Sequence, residues 1–231
     1  MYKRQGQDWG GPIGLRVAVE IPEKFSRLVI SNGGLPSMPN PQAWLVKNFL
    51  DFSVWLNTPT SFQDLLDLRD ELSETNEAPT MLEGLSFFSR WIAHSYYAED
   101  LDITGVMVLL GGLDNLSDQE KYAYEAPYPN AGYKSGANTF ASFALHELAE
   151  NEEFWINVLD KWDKPFLVAF GENERITLPM KADFLERIPN PTVITLGGAS
   201  HFVQEEVGPE LAQIISDFIQ GKPVADLPAK N

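Results

Sequence analysis

The sequence predicts an α/β fold in which a parallel β-sheet is interrupted by a long helical insertion. Short apolar runs alternate with amphipathic helical segments near both ends of the 231-residue chain. The region between them is rich in aromatic residues at helical spacing and is punctuated by proline and glycine. A glycine-rich bend with an aspartate inside it, residues 6–11, comes before the first helix. Together these observations favour a partly helical fold built around parallel strands.

The elements can be assigned in chain order. Residues 12–20 are expected to form a helix that Pro22 ends, and 27–32 an apolar strand bounded by glycines. The aromatic helical region follows over 37–160. Strands and helices then alternate to the C-terminus, with strands at 165–170 and 192–196 and helices at 178–188 and 209–220. We therefore expect a partial sheet core at 6–36 and 161–231 and an inserted helical cap at 37–160.

The first five residues fit this scheme poorly. Residues 1–5 are mainly polar and basic, whereas the bend that follows them needs a buried strand in front of it. We therefore expect residues 1–5 to be a non-native leader and the N-terminal strands of the sheet to be missing.

Composition narrows the class of protein. There are 33 acidic and 17 basic residues, and the resulting charge of −16 argues against nucleic-acid or anionic-membrane partners. No apolar run reaches the roughly 18–20 residues of a membrane helix. The chain has no cysteine, and its three histidines are His94, His146 and His201. We expect a monomeric, cytoplasmic protein with no metal and no other cofactor, in which His94 and His146 lie in the helical cap region and are solvated or packed rather than catalytic.

The bend carries the first chemical signal. Gly6-Gln7-Asp8-Trp9-Gly10 has the Gly-x-nucleophile-x-Gly spacing of a tight strand-to-helix turn, with aspartate as the central residue. We expect glycines at both flanks because side chains there would collide. An ionised Asp8 can attack an sp³ carbon without a base, and the N–H of Trp9 would face the reacting group.

The remaining groups follow the later strands. An alkyl ester on Asp8 would need a histidine to deprotonate water and a carboxylate to orient that histidine. Glu172 and Glu174 come directly after the strand at 165–170, and His201 precedes the last helix. The chain order of nucleophile, acid and histidine is typical of hydrolases that use this bend.

Four segments resemble haloalkane dehalogenases, which are α/β-hydrolases with an aspartate nucleophile. They are Asp-Trp-Gly-Gly-Pro-Ile-Gly-Leu at 8–15, Tyr-Glu-Ala-Pro-Tyr-Pro at 124–129, Phe-Leu-Val-Ala-Phe-Gly at 166–171 and Ser-His-Phe-Val-Gln-Glu at 200–205. The resemblance implies an α/β-hydrolase sheet with a helical cap, and a halogenated small molecule and a halide ion as ligands.

The resemblance also implies roles for individual residues. Asp8 would be the nucleophile, His201 the base that activates water, and Trp9 a halide-binding residue through its indole N–H. Glu174 would be the acid, with Glu172 as the alternative. Asn32 stands near the position where another subgroup has its acid, so the acid here is assigned to the later strand.

The chain departs from the family pattern in two places. The His-Gly pair of the family's oxyanion motif is absent, and Gly112 stands where some relatives have a second halide-binding tryptophan. Trp44, Trp55 and Trp91 are possible substitutes, although their helical spacing favours core packing.

Two other functions stay open. An epoxide hydrolase would use the same three residues with two cap tyrosines as acids. The candidates are Tyr96, Tyr97, Tyr122, Tyr124, Tyr128 and Tyr133. A catalytically incompetent fragment is the other alternative, because part of the sheet and of the oxyanion site is expected to be missing.

Overall fold

A computed structural model describes residues 2–58, 60–74, 80–111, 113, 116–143 and 146–229. The strands are β1 (Tyr2–Asp8), β2 (Phe25–Gly33), β3 (Phe166–Gly171) and β4 (Thr192–Leu196). The α-helices are α1 (Gly10–Glu20), α2 (Gln42–Leu56), α3 (Phe62–Glu74), α4 (Met81–Tyr97), α5 (Ile103–Gly111), α6 (Asp118–Glu125), α7 (Ser135–Phe143), α8 (Leu148–Asn157), α9 (Leu178–Arg187), α10 (Val203–Glu206) and α11 (Gly208–Ile219). Two compact units result: a sheet unit, Met1–Met38 with Ala149–Asn231, and a helical unit, Pro39–Leu148.

The four strands of the sheet unit form one parallel sheet in the order β1-β2-β3-β4. All six residues of β3 are buried, as expected for a central parallel strand. Phe166, Val168 and Phe170 belong to one core with α1, α8 and α9, whereas Leu167 and Ala169 belong to a second core with α11. The two-residue period of the strand thus supplies both faces of the sheet, and helices cover each face. The predicted α/β class with parallel strands is confirmed.

The first strand corrects one prediction. We expected the strand before the bend to be missing, but Tyr2–Asp8 forms β1 and pairs in parallel with β2. Backbone hydrogen bonds to a single neighbouring strand are enough to hold a strand at the end of a sheet, and they do not require an apolar sequence. Met1 lies outside the described residues, and the non-native origin of residues 1–5 stays a prediction.

The helical unit has its own core, as predicted for the aromatic region. Buried side chains from several helices form it, among them Leu50 of α2, Leu65 of α3 and Trp91 of α4. Helix α4 begins with a capping box in which Thr80 and Glu83 bond each other's backbone N–H groups. Within the described ranges, no helix combines the length and apolar character that a membrane span requires.

The boundary between the units differs from the expected cap at 37–160. The helical unit ends at Leu148, the first residue of α8, and the rest of α8 belongs to the sheet unit. Trp155 of α8 is fully buried, and its indole N–H donates to the carbonyl of Leu35 at 2.9 Å. Leu159 lies in the same core. Aromatic residues at helical spacing therefore occur in both units, and their pattern does not mark the boundary.

Candidate active site

The bend predicted at residues 6–11 joins β1 to α1 across a single residue, Trp9. Asp8 ends β1 with a φ of 50°, in the left-handed region that aspartate tolerates better than most residues. A Cβ on Gly6 would overlap the carbonyl of Gly10, so this glycine is needed for the close approach. A Cβ on Gly10 would meet no atom within 4 Å in the described part of the chain. The predicted collision is therefore right for Gly6 and wrong for Gly10.

His201 lies between two carboxylates. It follows β4, just before α10, and is 2% exposed. Its Nδ1 is 2.9 Å from Oε2 of Glu174, and its Nε2 is 3.4 Å from Oδ1 of Asp8. The second distance is longer than a well-formed hydrogen bond, and Nε2 has no hydrogen-bond partner among the described residues. Nε2 is thus the ring nitrogen that faces Asp8 and is left available.

The Glu174 carboxylate is fixed in place. Its side chain is fully buried, and Oε1 accepts the N–H groups of Ile176 at 2.6 Å and Thr177 at 2.8 Å. Oε2 is left to accept from Nδ1–H of His201, so that the proton on Nδ1 is kept whenever the ring is neutral. The alternative acid, Glu172, instead accepts the N–H of Gly198 at 2.9 Å. The structure therefore brings Glu174 to the histidine ring, whereas Glu172 bonds the backbone of the loop that carries the histidine and does not reach the ring.

The charge state of the histidine follows from its neighbours. Burial lowers the pKa of His201, but the contact with Asp8, the hydrogen bond to Glu174 and the negative charges of both carboxylates outweigh it and raise the pKa from 6.5 to about 9. At 3.4 Å the attraction of Asp8 is mainly ionic. The resting site at neutral pH accordingly holds an imidazolium between two carboxylates.

The tryptophans considered as halide ligands differ in how deeply they are buried. Trp9 is half-buried and lies between Asp8 and the first turn of α1, whose N–H groups have no partner within the helix. Trp91 is 8% exposed in the core of the helical unit, as expected. Trp44 and Trp55 are 61% and 70% exposed, so the expected core packing is wrong for both. Gly112 lies outside the described residues.

Sequence reasoning missed two groups next to the histidine. Asn32, at the end of β2, and Gln7, just before Asp8, both donate to the backbone carbonyl of His201. A polar residue ending an otherwise apolar strand was a visible signal for Asn32, but nothing in the sequence indicated its partner. As for metals, the described ranges contain no group of three or more acidic or histidine side chains that could hold an ion.

Comparison with known proteins identifies the fold family. The alpha/beta hydrolase fold model matches residues 5–207. A solved haloalkane dehalogenase, DatA from Agrobacterium tumefaciens C58, superimposes with a TM-score of 0.59 at 16% identity, covering 95% of this chain and 66% of DatA. DbeA from Bradyrhizobium elkani USDA94 gives 0.58 at 17% identity, with 94% and 66% coverage. At these identities the likeness concerns the fold alone.

Curated relatives are more similar in sequence. A haloalkane dehalogenase of Mycolicibacterium paratuberculosis is 29% identical over 221 residues, which are 93% of this chain and 59% of the relative. One of Psychrobacter cryohalolentis is 29% identical over 227 residues, which are 94% of this chain and 60% of the relative. The chain thus spans about three-fifths of the length of these relatives. The chain belongs to the alpha/beta hydrolase fold family, and the curated relatives named here are haloalkane dehalogenases.

Proposed function

We propose that the chain carries the catalytic groups of a hydrolase that cleaves carbon–halogen bonds in small haloalkanes. The observation that carries the proposal is the row of three side chains in which His201 lies 3.4 Å from Asp8 and 2.9 Å from Glu174. An aspartate on a strained bend, paired with a histidine and a second carboxylate, suits covalent catalysis followed by hydrolysis. The haloalkane dehalogenases among the relatives support the substrate class.

In the first step, a carboxylate oxygen of Asp8 attacks the carbon that bears the halogen. The new C–O bond forms as the C–halogen bond breaks, and the electron pair leaves with the halide. The product is a neutral alkyl ester on Asp8. The indole N–H of Trp9 and the N–H groups at the start of α1 are donors suited to the departing anion.

In the second step, water hydrolyses this ester. The imidazolium first releases its Nε2 proton to solvent, and the neutral Nε2 then takes a proton from the water, whose oxygen attacks the ester carbonyl carbon. The alkoxide leaves, takes this proton from His201 and departs as an alcohol. The carboxyl group left on Asp8 gives its proton to His201, which restores the Asp8 carboxylate and the imidazolium. Glu174, held by two backbone N–H groups, keeps the ring oriented and stabilises its cation. Water is the only co-reactant that these steps require.

The pKa of His201 fits this order of events. The Asp8 charge is one of the influences that raise it to about 9, and ester formation removes that charge. The histidine therefore becomes a base more readily once the ester has formed, which is the point at which a base is needed.

Two variants test the nucleophile and the base separately. Asp8→Asn should release no bromide from 1-bromobutane, because its amide is a poor nucleophile. His201→Gln should release about one bromide per site and then stop, with the butyl ester detectable as added mass on the Asp8 peptide. Glu172→Gln is the matched control and should turn over normally. Steady turnover by Asp8→Asn would refute the assignment of the nucleophile.

A side-by-side assay separates the proposal from its alternatives. Bromide release from 1-bromobutane is compared with diol formation from an epoxide of similar length at equal protein concentration. Diol formation without bromide release would assign epoxide hydrolysis instead. Folded protein with neither activity would identify a catalytically incompetent chain.

A further inference from the structure

A β-bulge lies beside the proposed nucleophile. Gln7 of β1 pairs with Ser31 of β2, but the next residue, Asp8, pairs with Gly33. Asn32 is therefore the extra residue, and its φ of 39° falls in the left-handed region that asparagine enters more easily than most residues. A bulge next to a functional site commonly redirects one side chain.

The redirected Asn32 side chain connects three segments of the sheet unit. It is fully buried, and its amide nitrogen donates to the carbonyls of Ser200 and of His201, the latter at 3.0 Å. Its amide oxygen accepts the N–H of Gly171, the last residue of β3, at 2.8 Å. Both amide hydrogens and the oxygen are thus used on backbone groups, which fixes the loop that carries the histidine.

A second donor reaches the same carbonyl from β1. The amide nitrogen of Gln7 donates to the carbonyl of His201 at 3.1 Å. Gln7 directly precedes Asp8, so the backbone of the histidine is tied both to the strand that carries the nucleophile and to the bulged strand.

We propose that Asn32, assisted by Gln7, is a positioning residue that holds the His201 backbone so that its ring stays within reach of Asp8. The proposal rests on the proposed function for its kinetic consequence. Neither amide titrates or touches the reacting atoms; both act through the histidine. Because the histidine is needed only for ester hydrolysis, weakening this attachment should slow the second step and spare the first.

The test uses two variants and one control. Asn32→Gly removes the amide and keeps a residue that accepts the positive φ. Gln7→Met removes the other donor at similar size and adds no backbone strain. Asn151→Leu is the control, because Asn151 is only 4% exposed in the same unit and its amide donates to the carbonyl of Pro36. Each protein is mixed with 1-bromobutane, and bromide is followed through the first and later turnovers.

We expect Asn32→Gly to release about one bromide per site at the normal rate and then turn over roughly 10- to 100-fold more slowly. Gln7→Met should show the same pattern with a smaller loss, and Asn151→Leu should match the unchanged protein. A general loss of folding would lower the first-turnover amplitude and leave the rate per remaining site unchanged. That result in both variants, or normal turnover by folded Asn32→Gly, would overturn the proposal.

An activity-independent measurement separates this proposal from the proposed function. The pKa of the His201 imidazole, followed by NMR, should fall from about 9 toward 6.5 in Asn32→Gly as the ring leaves its carboxylates. If the unchanged protein releases no bromide, the proposed function fails, and the NMR titration still decides the positioning role. An unchanged pKa in both variants would refute that role. If Asn32→Gly does not fold, Gln7→Met decides by the same measurements.

Discussion

Replacing Asp8 by asparagine should lower the pKa of His201. The substitution keeps the size of the side chain and removes its negative charge, leaving Glu174 as the carboxylate that contacts the ring. The Asp8 charge favours the imidazolium form, so the neutral form should become accessible at lower pH. A neutral ester on Asp8 changes the charge in the same way, and the variant therefore imitates the proposed intermediate.

The size of the shift follows from the geometry. Two unit charges 3.4 Å apart attract by about 1.2 kcal/mol in water and about 5 kcal/mol at an effective dielectric constant of about 20. These energies correspond to roughly 1 and 3.5 pKa units. The Asp8 side chain is 35% exposed, so solvent screening moves the effect toward the lower limit. We expect the pKa of His201 to fall from about 9 by roughly 1–2 units.

Imidazole NMR can measure this shift directly, because the chain has only three histidines. The His201 resonance is assigned by its disappearance in His201→Gln. Asp51→Asn is the matched control: Asp51 lies 3.5 Å from His146 and is not among the groups that raise the pKa of His201, so its removal should leave the titration of His201 unchanged. A His201 pKa that stays near 9 in Asp8→Asn would refute the charge pairing and the reasoning built on it.

Three further predictions concern the acid, the stability and the bend. Glu174→Gln should reduce turnover by about 100-fold or more, since it removes the charge that stabilises the imidazolium; Glu172→Gln is the control, and an equal loss in both would contradict the assignment. The free energy of unfolding should fall by about 3 kcal/mol between pH 6.5 and 9, because His201 binds its proton more tightly when folded. Denaturant titrations at both pH values measure this, and a His201→Gln chain with the same slope would count against it. Gly6→Ala should lower the free energy of unfolding by several kcal/mol through backbone overlap, whereas Gly10→Ala should be tolerated; thermal unfolding compares the two, and equal melting temperatures would disprove the steric argument.

Local sequence patterns were sufficient to predict most of the sheet unit. The strands predicted at 27–32, 165–170 and 192–196 are confirmed within a few residues, as are the helices predicted at 12–20, 178–188 and 209–220. A strand that is buried on both faces needs a continuous apolar run, and such a run can be recognised in the sequence without knowing which strand pairs with it. The proximity of Asp8, Glu174 and His201 could also be predicted, because each follows a parallel strand and the carboxyl ends of parallel strands meet at one edge of the sheet.

Contacts between distant segments could not be predicted from local sequence patterns. β1 is held by backbone pairing with β2. A polar sequence is compatible with such pairing but does not predict it. The apolar spacing of α2 suggested burial of Trp44 and Trp55, yet that spacing does not say which side of a helix receives a neighbour. Exposure is a property of the assembled helices, and the sequence of one helix leaves it undetermined.

The sequence by itself determined the α/β class, the bend at Asp8 and the residue types from which the site is built. Only the tertiary structure decided which of two glutamates, two residues apart, contacts His201, and that a bulge turns Asn32 toward the histidine loop. The physical reason is that side-chain direction at a strand end depends on the register of the neighbouring strand and on turn geometry. The register is set by the pairing of β1 with β2, and the partners of Asn32 lie more than a hundred residues away in the chain, so neither follows from the local sequence.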